Sequence, residues 1–286
     1  MVERGVRLAN VDGRAALVIE GRCVDVEARS AGAFSADPME ALGRWEAFAE
    51  WAREQELRDE DPDLDPVRLG ACVPRPRQVF AIGLNYRDHA EEAGLDIPET
   101  PMVFTKFPSC LAGPYSEIVL TSDRVDWELE LVVVIGRQAR QVEPDRALLH
   151  VAGYCVGQDI SDRRLQFSDR PAQFSLGKSA EGYGPIGPEV VSLDALEDPG
   201  TLALSCEVAG ERMQEGHTKD MIFGVPELIA YLSGYCTLEP GDLIFTGTPA
   251  GVGSVRTPRR YLAPGDIITS EIEGLGGLVN RCVALR

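Results

Sequence analysis

The sequence contains few histidines and no paired-cysteine motif. Only His89, His150 and His217 occur among 286 residues, and seven cysteines are scattered along the chain without a C-x-x-C pair. The shortage of histidine argues against a histidine-rich metal site. An odd number of scattered cysteines is typical of reduced thiols rather than of a disulfide framework, so we expect a cytoplasmic protein.

Basic residues and long apolar runs are also scarce. The 28 lysines and arginines are outnumbered by 46 acidic residues, which gives a formal net charge of −18. This balance argues against binding nucleic acid through a broad positive surface. It says little about a small anionic substrate, which meets only the local field of its pocket. No secretory signal pattern opens the chain and no apolar run could span a bilayer, so we expect no membrane partner.

The strand and helix patterns predict two units, residues 1–72 and 73–286. In the first unit, short strand patterns are joined by turns at Asp12-Gly13 and Gly21-Arg22, and a helical pattern begins at Pro38. The second unit has many strand patterns and few helical ones, which predicts a β-rich α+β domain behind a small N-terminal α/β unit. Its strands are predicted at 79–83, 102–107, 117–120, 128–135, 151–159, 202–208, 242–246 and 266–272, and its helices at 88–93, 144–149 and 224–232.

One predicted strand, within residues 125–136, carries two carboxylates on the same face. Side chains alternate along a strand, so Glu128 and Glu130 point one way while Leu129 and Leu131 point the other. Two neighbouring carboxylates repel each other unless a cation lies between them, and a divalent metal ion is the natural candidate. The alternative is a strand with one solvated acidic face.

A glycine motif in the second unit matches a dinucleotide-binding pattern only literally. Gly182, Gly184 and Gly187 fit G-x-G-x-x-G. A dinucleotide site needs a helix to begin within the motif, whereas Pro185 and Pro188 both resist helix formation. We therefore interpret this segment as a loop built from glycine and proline beside a site, and a NAD-linked oxidoreductase as a weak alternative.

An ordered set of short motifs resembles the fumarylacetoacetate hydrolase family. The resemblance extends from about residue 79 to residue 286, and residues 1–72 match only as the variable N-terminal unit of that family. No single motif is specific, but their order is. The motifs are Asn85-Tyr86-x-x-His89-x-x-Glu92, Glu128-x-Glu130, Asp159, Gly177-Lys178-Ser179 and Thr246-Gly-Thr248-Pro-x-Gly251-Val-Gly253.

The resemblance implies a mixed β-roll core, a homodimer, and a metal-dependent site for a small anionic keto acid. It implies Mg²⁺ or Mn²⁺, which Ca²⁺ could replace, and three carboxylates without histidine agree with such hard cations. The implied metal ligands are Glu128, Glu130 and Asp159, and the implied substrate contacts are Arg163, Gln166, Lys178 and Thr248.

Two departures from the family pattern leave the substrate open. The family commonly has K-S-x-D-T-F after its lysine, whereas this chain has Glu181, Gly182 and Tyr183 at the last three positions. The threonine hydroxyl is lost, and a water would have to replace it if it supports the metal ligands. His217 also occupies a position where many relatives have a small polar residue.

The implied reaction is hydrolysis of a carbon–carbon bond in a β-diketo acid, such as an acylpyruvate or fumarylpyruvate from aromatic catabolism. The reaction expels an enolate, whose charge a metal ion and Lys178 would stabilise. His89, oriented by Glu92, would remove a proton from the attacking water. The same site could decarboxylate or tautomerise oxaloacetate-like acids or dehydrate sugar acids. A metal-binding scaffold without catalysis is a further alternative.

The segment 85–94 is short, polar and rich in acids, with few residues that could anchor it to a core. Short helices are only marginally stable alone. We therefore expect the segment to move without ligand and to close over a bound keto acid, excluding bulk water.

Overall fold

The computed structural model describes residues 5–285. The strands are β1 Arg7–Val11, β2 Arg14–Ile19, β3 Arg22–Asp25, β4 Val79–Gly83, β5 Met102–Thr105, β6 Leu111–Ala112, β7 Ile118–Leu120, β8 Val125–Asp126, β9 Leu129–Ile135, β10 Val151–Gln158, β11 Ser161–Asp162, β12 Gly184–Val191, β13 Ala203–Val208, β14 Glu211–His217, β15 Leu243–Phe245, β16 Ile267–Ile272 and β17 Gly276–Ala284. The α-helices are α1 Val26–Arg29, α2 Pro38–Gly43, α3 Trp45–Arg53, α4 Arg87–Ala93, α5 Arg163–Gln166, α6 Phe174–Gly177 and α7 Val225–Tyr235. Short 3₁₀ helices span Pro66–Arg68, Pro108–Cys110, Pro144–His150, Leu193–Ala195 and Thr218–Asp220.

Two sheets form most of the structure. The larger runs in the order β3-β2-β1-β12-β10-β9-β15-β4-β5, and β6 pairs beside it with β12. The second has the order β14-β13-β16-β17-β7, while β8 and β11 form a separate two-stranded ladder. Most pairs are antiparallel, with parallel pairs where β15 meets β4, β6 meets β12 and β7 meets β17. The β-rich α+β fold predicted from the sequence is confirmed.

Strand β9 lies inside the larger sheet, between β10 and β15. All seven of its residues are buried. Leu131 and Val133 pack into one hydrophobic cluster, whereas Val132 and Val134 pack into another on the opposite side of the sheet. Because both faces are covered, the strand is apolar on both faces from Leu131 onward.

The N-terminal strands extend the larger sheet. Strand β1 pairs antiparallel with β12, so that Arg7 lies opposite Val191. Leu8 and Phe48 share a hydrophobic cluster with Val132 of β9 and Phe245 of β15. The structure thus joins the two predicted units through one sheet and one shared core. The division after residue 72 stays a prediction.

Four details differ from the sequence-based expectation. A strand pattern in the N-terminal unit predicts a strand over residues 23–27, but β3 ends at Asp25, whose side chain accepts a hydrogen bond from Ala28 N and so starts helix α1. The helix predicted from Pro38 is two helices, α2 and α3, with a break at Arg44. The glycine–proline segment is not a loop, because strand β12 begins at Gly184. Strands β14 and β17 were not predicted.

The segment before α4 is well anchored, which corrects the expectation of few anchoring residues. The Asn85 side chain donates to Thr246 O at 2.7 Å and to Phe223 O at 3.0 Å, and accepts from Phe223 N at 2.9 Å. Tyr86 and Ala90 are fully buried. Gly94 ends the helix in the left-handed conformation. Closure over a ligand stays a prediction.

Within residues 5–285, no helix combines the length and apolarity that crossing a membrane requires.

We expect Asn85→Ala to lower the free energy of unfolding by about 2–4 kcal/mol, because it leaves buried backbone groups of Phe223 and Thr246 without partners. Denaturant titration measures the loss. Glu91→Ala, at an exposed position of the following helix α4, is the matched control and should cost much less. Equal stability of the two variants would show that Asn85 does not anchor this segment.

Candidate metal centre and substrate cavity

The antiparallel pairing of β9 and β10 brings three carboxylates together. Glu130 lies opposite Gly157, and Asp159 N donates to Glu128 O at 2.8 Å. The start of β9 therefore meets the end of β10. One carboxylate oxygen from each of Glu128, Glu130 and Asp159 lies within 4.8 Å of the other two. The structure thus assembles the three ligands that the sequence predicts, all of them buried.

Lys178 lies directly against this cluster. Its ammonium donates to Glu128 Oε2 at 2.7 Å, to Asp159 Oδ2 at 2.6 Å and to Ser161 Oγ at 2.8 Å. Burial alone would lower the pKa of Lys178, but the charges of Asp159 and Glu128 outweigh it and raise the pKa above its usual value. The lysine is therefore held charged beside the metal ligands.

Arg163 links the cluster to helix α5. Its guanidinium contacts Asp126 Oδ1 at 2.6 Å, Gln166 Oε1 at 2.9 Å and the carboxylate of Glu128. The sequence analysis missed Asp126, although it continues the same-face series of Glu128 and Glu130 by two residues. Burial raises the pKa of Asp126, with Arg163 opposing that rise. Gln166, a predicted substrate contact, accepts a hydrogen bond that orients Arg163.

Lys106 is a second residue that the sequence analysis missed. It is 1% exposed, and its ammonium donates to Asp159 Oδ1 at 2.6 Å and to Tyr183 O at 3.1 Å, with a further contact to Lys178 O. The available signal was strand alternation, because Lys106 follows β5 with the same parity as the inward-facing Phe104. Both oxygens of Asp159 thus accept from lysines.

Glu130 is the carboxylate of this cluster without a cation. Asp126, Glu128 and Asp159 pair with Arg163, Lys178 and Lys106, whereas Glu130 has no ion pair among residues 5–285. It accepts one hydrogen bond, from Gly247 N at 2.7 Å. Burial and the negative charges of Asp159 and Glu128 raise its pKa well above the usual value. In Glu128, by contrast, burial is outweighed by Lys178 and Arg163, which lower the pKa.

The donor set fits a divalent cation. All three groups are carboxylates, the ligands preferred by Mg²⁺, Mn²⁺ and Ca²⁺, and the uncompensated charge of Glu130 is the one that such an ion would neutralise. Glu128, Glu130 and Asp159 would hold the ion.

The loop after β15 forms hydrogen bonds with β9 beside the carboxylate cluster. Thr248 Oγ1 donates to Leu129 O at 2.8 Å and accepts from Gln214 Nε2 at 2.7 Å. Gly247 has a φ of 97°, and a side chain there would come within 2.7 Å of Asn85 Cβ. A glycine is therefore required where its N–H reaches Glu130. Thr248 also lines the cavity described below.

His89 and Glu92 are adjacent but not hydrogen-bonded. His89 Nδ1 lies 3.8 Å from Glu92 Oε2, and this buried nitrogen has no hydrogen-bond partner. Glu92 Oε2 instead accepts from Gly251 N at 2.9 Å. The predicted pair is thus brought together, and Glu92 also ties α4 to the loop after β15. Hydrogen bonds between catalytic groups are often long in the absence of substrate.

A cavity of about 710 Å³ opens over the carboxylates. Of the residues that the sequence singles out, Glu128, Glu130, His89 and Lys178 line it, together with Arg163, Gln166 and Thr248. Apolar and aromatic side chains form much of the remaining wall. Asp159 is fully buried under Lys106 and Lys178 and does not line the cavity. The cavity therefore combines a hard-cation site, a buried ammonium, an imidazole and a large apolar surface.

The departures from the family pattern lie outside this cavity. Glu181 and His217 are exposed. Gly182 has a φ of 80°, and a side chain there would come within 2.9 Å of Glu117 O, so a threonine would be strained. Tyr183 is buried and its hydroxyl is 2.7 Å from Thr121 Oγ1. The backbone conformation here thus differs from one that could present a threonine hydroxyl.

Comparison with known proteins agrees with this site. Residues 78–283 match the family described as Fumarylacetoacetate (FAA) hydrolase C-terminal. The chain belongs to the fumarylacetoacetate hydrolase family. The oxaloacetate tautomerase FAHD2A, mitochondrial, of Homo sapiens is 43% identical over 219 residues, covering 76% of this chain and 70% of that protein.

Solved structures of proteins with similar sequences have the same fold. A Mycobacterium smegmatis protein, 49% identical, superimposes with a TM-score of 0.93 and covers 98% of this chain and 100% of its own. A maleylpyruvate hydrolase from Sphingobium sp. SYK-6, crystallised with manganese(II) and pyruvate, is 29% identical with a TM-score of 0.81 and covers 98% and 100%. The predicted family and its fold are confirmed, and the chain is a family enzyme with an acidic metal site.

We expect Glu130→Gln to weaken Mg²⁺ and Mn²⁺ binding by more than about 100-fold, since replacing even the partners of metal ligands commonly costs about 10–100-fold. The fold should persist, because the change removes one of three mutually repelling carboxylates and leaves no buried cation unpaired. Calorimetric titration measures the affinity. Glu181→Gln makes the same charge change at an exposed position and should bind metal normally. Unchanged affinity in Glu130→Gln would remove Glu130 from the ligand set.

Proposed function

We propose that the protein hydrolyses a carbon–carbon bond in an acylpyruvate-type β-diketo acid with the help of a divalent metal ion. The observation that carries this proposal is the joint lining of one cavity by His89, with an unpartnered buried nitrogen, and by the carboxylates and Lys178. Hydrolysis needs a base for water and positive charge for the departing enolate, and the cavity offers both.

The keto-acid end of the substrate would lie beside the carboxylates. A divalent ion held by Glu128, Glu130 and Asp159 would supply a Lewis acid for the keto acid. Arg163 and Lys178 add two fixed positive charges that favour an anionic ligand and the electron-rich enolate. Because both cations are already tied to carboxylates, they are held in position before the substrate binds.

His89 would act on water at the distal carbonyl. It would take a proton as the water oxygen bonds to that carbonyl carbon, and the adjacent carbon–carbon bond would then break. The bond electrons would pass to the enolate of pyruvate, and the imidazolium would return the proton to its carbon. Glu92, 3.8 Å away, would stabilise the imidazolium. The products would be a carboxylic acid and pyruvate.

Tautomerisation of oxaloacetate is the second candidate, favoured by the human relative of that name at 43% identity. It would use the same anchoring cations and a proton exchange at carbon, without attack by water. The decarboxylase and sugar-acid dehydratase alternatives lack a comparable observation. The homodimer and the cytoplasmic location stay predictions.

We expect His89→Ala to reduce acylpyruvate hydrolysis by on the order of 10²–10⁴-fold, the usual contribution of a general base. The loss should fall on kcat, while Mg²⁺ affinity stays normal because His89 is not a proposed ligand. Glu92→Gln should lose less. The control is Glu91→Gln, an exposed position of α4. Steady-state assays and metal titration are the measurements, and near-normal turnover of His89→Ala would refute the proposed base.

A substrate panel separates the two candidates. Acylpyruvates and oxaloacetate are assayed with and without Mg²⁺, following cleavage for the former and enol–keto exchange for the latter. We expect metal-dependent cleavage with kcat/KM for the best acylpyruvate above that for oxaloacetate. Fast exchange of oxaloacetate without cleavage of any acylpyruvate would favour the tautomerase. Activity on neither, with metal bound, would favour a non-catalytic scaffold.

A further inference from the structure

The cations of the carboxylate cluster and three aromatic rings of the cavity come from the same chain segments. Lys106 follows β5, Arg163 begins α5 and Lys178 follows α6. Each of these cations has a phenylalanine close to it in sequence, and all three phenylalanines line the cavity. They are Phe104, two residues before Lys106, Phe167, four after Arg163, and Phe174, four before Lys178. Short stretches of backbone therefore fix the rings relative to the cations.

The three rings form a row that leads from the cluster to the surface. Lys178 Nζ lies 5.1 Å from the centroid of the Phe104 ring. Phe174 packs edge-on against Phe104 at 5.4 Å and against Phe167 at 6.3 Å between ring centroids. Lys178 is 2% exposed and Phe104 and Phe174 are half-buried, whereas Phe167 is 58% exposed. The row thus begins at a buried ammonium of the cluster and ends at the rim of the cavity.

Contacts between the segments hold this row in place. Gln173 N, immediately before α6, donates to Gln166 O of α5 at 3.2 Å. Thr105 Oγ1 and Ser175 Oγ are 3.3 Å apart and join β5 to α6. A side chain at Gly177 would come within 2.9 Å of Gln166 N, so α5 and α6 are in close contact there. Rings held in this way need little ordering when a ligand binds.

The wall beside the row is also apolar. Met102 lies two residues before Phe104 on the same face of β5 and lines the cavity, as do Leu84 and Leu95. The volume of about 710 Å³ lies within the range of pockets that hold ligands much larger than a four-carbon acid. The cavity therefore suits an acid with its keto-acid end at the carboxylates and a bulky apolar group along the row.

We propose that Phe104, Phe174 and Phe167 form a subsite for the acyl group of the substrate, and that this group is an aromatic ring. This inference rests on the proposed function. The substrate class is the aroylpyruvates, whose cleavage with water gives an aromatic carboxylic acid and pyruvate. Edge-on or offset ring contacts add to the free energy of burying the apolar surface. A carboxylate against the same rings would lose its water without gaining a partner.

The test compares benzoylpyruvate with acetylpyruvate, which has a methyl group in place of the ring. We expect the KM of the unaltered, Mg²⁺-loaded protein to be about tenfold lower for benzoylpyruvate, because the ring is buried against the row. Phe174→Ala removes the central ring and should lower the ratio of the two kcat/KM values, benzoylpyruvate over acetylpyruvate, by about tenfold, mainly through KM. Phe167→Ser, at the exposed end, should lower the same ratio by a smaller factor.

The matched control is Phe107→Ala, which removes a ring that is 47% exposed and does not line the cavity. It should keep the ratio of the unaltered protein. Circular dichroism checks the fold of each variant, and Phe167→Ser decides the test if Phe174→Ala does not fold. An unchanged ratio in the folded row variants would overturn the subsite. So would a lower KM for succinylpyruvate than for benzoylpyruvate, since exposed arginines that could bind a carboxylate also line the cavity.

Calorimetry separates this inference from the proposed reaction. If the unaltered protein cleaves neither benzoylpyruvate nor acetylpyruvate, the proposed hydrolysis fails, but binding of both acids to the Mg²⁺-loaded protein remains measurable. Tighter binding of benzoylpyruvate, reduced in Phe174→Ala and kept in Phe107→Ala, would support the subsite by itself. Equal affinity of the unaltered protein for the two acids would reject it.

Discussion

The burial of three neighbouring carboxylates is the constraint on which the rest of this structure depends. Glu128, Glu130 and Asp159 lie at the junction of β9 and β10, where water cannot screen their repulsion. Lysine and arginine side chains from three other segments compensate Glu128 and Asp159. Glu130 has no cationic partner among residues 5–285, and a divalent cation would provide one.

The surrounding architecture follows from that requirement. Lys106 and Lys178 must be buried to reach Asp159, so β5 and the segment after α6 close over the cluster. In the loop after β15, Gly247 N donates a hydrogen bond to Glu130. The Asn85 side chain holds this loop in place, because it donates to Thr246 O. The family motifs therefore include residues whose role is structural. Asn85 is such a residue, since its side-chain bonds go to backbone groups.

The groups that would anchor a keto acid in this cavity do not by themselves decide which reaction follows. The cations and carboxylates near β9 would anchor the keto-acid end of different acids, and the similar proteins described above are named for two reactions, tautomerisation and hydrolysis. Aromatic side chains and exposed arginines line the same cavity.

The sequence by itself determined the local features, and the tertiary structure decided how they meet. Strand alternation placed Glu128 and Glu130 on one face, and the order of the motifs identified the family. Both depend on short spacings that a chain specifies locally. The pairing of Asp159 with Lys106, the role of Asp126 and the continuity of the N-terminal strands with β12 depend on contacts between distant segments. Such contacts arise from register and packing across the whole sheet, which no local pattern encodes.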